Sequence, residues 1–140
     1  MKRSKIIFLL IGLILSATVS TTLSLYIRNN NISSNNEEIT VLAIINYGSL
    51  KQDNQEEYNV SISKGSTALQ VFIKIAELDL VNYSIGVYVR GVNGYTEQLP
   101  NKYWTFYYFN HETLTWIYSE VGVNSFFVDK EDQIKLQYSG

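Results

Sequence analysis

The sequence predicts an α+β domain, a mixed sheet with one helix packed across it, and three stretches of its 140 residues predict it. Tyr103 to Asn110 reads YWTFYYFN, six aromatics in eight residues. As a strand it turns Trp104, Phe106 and Tyr108 to one face and Tyr103, Tyr107 and Phe109 to the other. Ile39 to Tyr47 is apolar on both alternating faces, the mark of a central strand. Leu69, Phe72, Ile73, Ala76 and Leu80 recur at helical spacing and give one apolar stripe.

The elements follow in chain order. Lys2, Arg3 and Lys5 precede an uncharged run from Ile6 to Ile27, long enough as a helix to cross a hydrocarbon core of about 30 Å. Residues 1–28 therefore predict a signal anchor or a signal peptide. The renewed apolar run Leu23 to Ile27, with no A-x-A cleavage pattern before it, favours the retained helix. The basic flank places the N-terminus in the cytoplasm, so either reading puts the rest outside the membrane, anchored or secreted. Residues 29–38 are rich in Asn and Ser without apolar periodicity and read as a flexible linker.

The ectodomain then occupies 39–140. After the first strand, Gly48 to Glu57 reads as a hairpin loop, and Tyr58, Val60 and Ile62 alternate inward on a second strand. Gly65 and Ser66 stop it, and Thr67 with Gln70 forms a capping box for the helix. Tyr83, Ile85, Val87 and Val89 alternate as a further strand, Gly91 to Gly94 turns, and Tyr95 to Lys102 reads as a polar loop. The aromatic strand comes next, then a turn at His111 to Thr113, and a strand with Leu114, Trp116 and Tyr118 on one face. Val121 to Val128 leads into an acidic turn, Asp129 to Asp132, and Ile134, Leu136 and Tyr138 alternate in a final strand. Two strands, one helix and several further strands around a central first strand fit a β-grasp-like topology most simply.

Composition narrows the function. Residues after Arg28 carry seven basic against 13 acidic side chains, a formal charge of −6. An acidic module with no basic stripe lacks the phosphate-neutralising charge that nucleic-acid binding requires. The absence of cysteine removes disulfides, thiolate metal sites and a thiol nucleophile. Three N-x-S sequons, at Asn31, Asn59 and Asn82, are candidate glycosylation sites on an extracellular surface.

In order and spacing, KGSTALQVFIKIAE, YSIGVYVRGVNG, YWTFYYFN and VGVNSFFVDKEDQIKLQY resemble the domain of unknown function DUF4430, related to the C-terminal β-domain of transcobalamin and intrinsic factor. The likeness covers roughly Ile39 to Tyr138. It implies a β-grasp-like sheet, an extracytoplasmic location and, by the transcobalamin relatives, cobalamin as a ligand. The chain departs from the family where the aromatic strand runs into Asn-Gly, Asn110 being followed by His111, and where the late Asp-Gly-Asp turn reads Lys130, Glu131, Asp132.

The search for chemistry gives no catalytic signature, and the expectation is a non-enzyme. His111 is the only histidine and has no nucleophile or orienting carboxylate placed by motif. Asp129, Glu131 and Asp132 could offer oxygens to calcium, but their loop lacks the glycine and repeated spacing of a dedicated site, so no metal is expected. The aromatics remain. Trp104 and Phe106 read as core, while Tyr103, Tyr107, Phe109, Trp116 and Tyr118 are the candidate ligand-binding residues. The expected function is a membrane-tethered or secreted binding module that presents an aromatic surface to a small molecule or an exported partner. The competing expectation is a structural or adhesion ectodomain docked on a neighbouring cell-surface protein.

Overall fold

The computed structural model describes residues 37–52, 54–84 and 86–140; the predicted membrane helix, the linker through residue 36 and the sequon at Asn31 lie outside the described residues. The elements run β1 (Glu38–Asn46), β2 (Gln55–Ser63), α1 (Ala68–Ile73), β3 (Leu78–Tyr83), β4 (Gly86–Val92), β5 (Tyr95–Thr96), β6 (Tyr103–Asn110), β7 (Thr115–Tyr118) and β8 (Gln133–Ser139). Five strands form a mixed sheet in the order β2-β1-β8-β6-β7, in which β1 and β8 are parallel and all other neighbours antiparallel. This is the predicted α+β class with the β-grasp order.

The two-faced apolar pattern of β1 has its cause in that order. β1 lies between β2 and β8. Its odd residues Ile39, Val41, Ala43 and Ile45 face the core, at 3% exposure or less, and Ile44 on the opposite face is also buried. Ile134, Leu136 and Tyr138 of β8 and Val60 and Ile62 of β2 join the same core. Tyr47, just past β1, is fully buried and its hydroxyl needs partners. It donates to Glu56 Oε2 at 3.0 Å and accepts from Asn93 Nδ2 at 2.7 Å. Glu56 also accepts from Tyr58 and pairs with Lys51 at 3.0 Å, so one carboxylate ties β2 to the turn after β1.

The helix is shorter than its predicted stripe and turned by one residue. It spans Ala68–Ile73 and buries Ala68, Val71 and Phe72, whereas Ile73 is 54% exposed and Leu80 belongs to β3. The capping box forms as predicted: Thr67 Oγ1 accepts from Gln70 N–H and Gln70 Oε1 from Thr67 N–H. What sets the buried face is the loop after β7. Carbonyls of Phe126 and Val123 accept from Ala68 and Leu69 N–H at 2.8 Å each. They satisfy donors that a helix N-terminus leaves unpaired, and fix its rotation. Phe72 then meets Phe106 edge-on with ring centroids 6.2 Å apart.

The chain also holds a second sheet that the sequence pattern did not predict, antiparallel in the order β3-β4-β5. Val89 and Val92 carry it into the core. The predicted strand through Leu114 begins one residue later, because Leu114 adopts φ +54° in the turn and stays exposed. Glu131, in the acidic turn, has φ +67°.

Candidate functional site

The aromatic strand β6 forms where predicted, and its two faces separate sharply. Trp104 and Phe106 are buried at 3% and 8% exposure. Trp104 Nε1 donates to the Tyr95 carbonyl at 2.8 Å, and its ring meets Tyr47 and Tyr138 edge-on at 5.7 and 5.4 Å. Tyr108 stacks at a tilt on Phe126, 5.3 Å away, beneath the loop that caps α1.

The opposite face is built by register. One row across the sheet reads Tyr118, Tyr107, Lys135, Ile44 and Glu57, from β7 through β6, β8 and β1 to β2. On the β6–β7 pair the neighbouring row sets Phe109 opposite Trp116. From β8 through β1 to β2, Gln133, Leu42 and Asn59 pair in turn. Directly opposed side chains on neighbouring strands lie about 5 Å apart, so these residues pack as cross-strand pairs. Tyr107 and Tyr118 meet edge-on at 5.9 Å, and Phe109 meets Trp116 at 5.4 Å and His111 at 5.2 Å. Four of the five predicted ligand residues thus form one contiguous patch. Tyr103 stands apart, at the far end of β6 and 38% exposed.

Lys135 borders the patch, and sequence reasoning missed it. Its Nζ lies 4.4 Å from the Trp116 ring centroid and 5.1 Å from that of Tyr107. Burial pushes its ammonium pKa down. The signal was present in the final strand, where Gln133, Lys135 and Gln137 alternate with the core residues, but only the register places Lys135 beside the rings.

A cleft of about 480 Å³ opens on the other side of β6. Trp104 and Phe106 line it from β6, Val87 and Val89 from β4, and Tyr83, Tyr103 and Tyr118 stand at it. It exists because two strand edges are incompletely paired. β7 covers β6 only from Tyr107 to Asn110, and β5 covers β4 only at Gly91 and Val92. The loop after β7 partly closes the gap, Asn124 Oδ1 accepting from Val87 N–H at 3.0 Å. Tyr88 donates to Glu97 in this sheet, and burial followed by that carboxylate drives its phenol pKa far up. Tyr118 belongs both to the cleft and to the outer patch.

The remaining candidates sit elsewhere. His111 lies in the exposed β6–β7 turn, where Asn110 Oδ1 accepts from Glu112 and Thr113 N–H. In the acidic turn Asp132 Oδ2 accepts from Asp129 N–H at 2.7 Å and Asp129 Oδ1 from Lys130 N–H at 2.8 Å, so both carboxylates brace the backbone. Among the described residues no group of three or more His, Asp or Glu is placed to hold a metal ion. Asn59 and Asn82 are both exposed on strands.

No protein-family model matches the chain, and no curated protein does, so the resemblance to DUF4430 rests on the residues quoted above. Among solved structures the chain is similar to haptocorrin, solved in complex with Cbi, with a TM-score of 0.61 and 17% identity over 74% of this chain and 25% of that one. At that identity the likeness establishes a shared fold, and this chain spans about a quarter of haptocorrin's length. It also resembles a proposed metal-binding protein from Ruminococcus gnavus ATCC 29149 at TM-score 0.49 and 10% identity, covering 73% of this chain and 98% of that one, a likeness too slight to bear on function.

Proposed function

We propose that this chain is a non-catalytic binding module, membrane-tethered or secreted, whose ligand rests on the aromatic face of β6 and β7. The observation that carries the reading is the patch of Tyr107, Phe109, Trp116 and Tyr118, which lies on the side of β6 away from the Trp104 and Phe106 core. Rings that are not needed to fill a core, and that stand together on a sheet, are the means by which proteins take flat or sugar-like ligands. A second reading places a corrinoid at the cleft beside Tyr118. The fold shared with haptocorrin favours it, and the cleft volume lies in the range of small-molecule sites.

The test is titration of the full-length protein with corrinoids and with neutral glycans while following Trp104 and Trp116 emission. A saturable change is expected for a ligand of either kind. Tyr107→Ala or Phe109→Ala should weaken binding on the outer face by about threefold to tenfold, the worth of one stacked ring pair, with the melting temperature nearly unchanged. Ligand binding that survives both substitutions would move the site to the cleft. Silence toward every ligand, with dimerisation that rises with concentration, would replace both readings by a docking ectodomain for a neighbouring cell-surface protein.

A further inference from the structure

Lys135 stands out among the cations of this domain. Lys51, Lys64, Arg90 and Lys130 each pair with a carboxylate, at 3.0, 2.9, 2.8 and 3.6 Å. Lys74 gives its ammonium to the Ser61 carbonyl at 2.8 Å. Lys102 and Lys135 have no ion pair among the described residues, and of the two Lys135 alone turns its ammonium to ring faces, those of Tyr107 and Trp116. The carboxylate in its row is Glu57, two strands away beyond Ile44, about 10 Å by strand spacing, and already holding Gln55 Nε2 at 2.6 Å. A half-buried ammonium on an aromatic face, in a domain whose charge is otherwise acidic, is a binding charge held ready for an anion. What flanks it limits the anion. Gln133 and Gln137 lie two residues to either side on the same strand face, offering amide donors and acceptors, and Tyr118 presents a 59% exposed ring two strands away. A ring to stack on, amides for hydroxyls and one cation within about 10 Å suit a pyranose that carries a carboxylate.

We propose that the outer face of the sheet binds an acidic saccharide, its carboxylate on Lys135 and its sugar ring on Tyr118 beside Tyr107. This rests on the aromatic-face reading above and names the ligand class for it. The rings give contact area with little sequence of charge to choose a sugar by, and Lys135 supplies the choice.

The decisive probes are a matched pair, trigalacturonic acid and its fully methyl-esterified form, titrated into the full-length protein with tryptophan emission as readout, and sodium acetate as competitor. The free acid is expected to bind about tenfold or more tightly than the ester, the worth of one charge-assisted contact, and acetate to compete only weakly. Lys135→Met should level the two affinities and Lys135→Arg should keep the preference. Equal binding of acid and ester by the unaltered protein would overturn the inference while leaving the aromatic face as a site. Acetate competing as well as the trisaccharide would overturn it in favour of a plain anion site. Binding of neither sugar, with a corrinoid still bound, would overturn it and leave the cleft as the site.

Discussion

Trp104 is the residue whose replacement tests the packing argument most directly. Trp104→Phe keeps an aromatic ring and removes the indole N–H that donates to the Tyr95 carbonyl. A neutral hydrogen bond contributes about 1 kcal/mol, and the half-buried carbonyl left behind adds a desolvation cost of up to similar size. The smaller ring also leaves a gap against Tyr47 and Tyr138, which it meets at 5.7 and 5.4 Å, weakening two edge-on contacts each worth about 0.5–1.5 kcal/mol. The expected loss is about 2–3 kcal/mol, a large share of the roughly 5–15 kcal/mol that holds a domain together. Urea unfolding followed by far-ultraviolet circular dichroism reads it: with a slope of about 1–1.5 kcal/mol/M for a domain this size, the midpoint should fall by about 2 M. A shift under about 0.3 M would refute the assignment of Trp104 as a bonded core residue and would return it to the ligand-binding candidates.

Thr67→Ala removes the hydroxyl half of the capping box and should cost about 1 kcal/mol, measured as a drop in the same midpoint. The pairing with Lys51 chiefly, helped by the hydroxyls of Tyr47 and Tyr58, holds the Glu56 carboxyl below its ordinary pKa. Its folded value being depressed, the stability it contributes is full above the unfolded carboxylate pKa and is lost as pH falls through the folded one. Glu56→Gln should therefore lower the midpoint at pH 7 and flatten its decline between about pH 5 and pH 3. Glu131→Gly should stabilise by about 0.5–1 kcal/mol: the left-handed backbone costs a side chain about 1–2 kcal/mol, and glycine gives back part of that in unfolded-chain entropy. The ion pair it loses, Lys130 to Glu131 at 3.6 Å, is too exposed to offset the gain.

What the sequence displayed plainly was whatever its own periodicity determines. Strict alternation located β2 and β8, the density of aromatic residues located β6, and Thr67 with Gln70 located the start of α1, because these features are local. The helix stripe was displaced by one residue because the face of a six-residue helix is set from outside, by the Val123 and Phe126 carbonyls. Leu80 of β3 was read into the helix because it falls four residues after Ala76, at helical spacing. The cleft had no sequence signal at all, since it is made by two strand edges that tertiary packing brings together. Lys135 looked like one more outward lysine until cross-strand register set it beside Tyr107.

The parallel pairing of β1 with β8 joins residues about ninety positions apart in the chain, Ala43 with Ile134 and Ile45 with Leu136. β8 lies at the middle of the large sheet with β1 beside it, so the two halves of the sheet have no common seam until β8 is in place. The core of the large sheet therefore closes only once β8 has paired, and such distant pairing folds slowly.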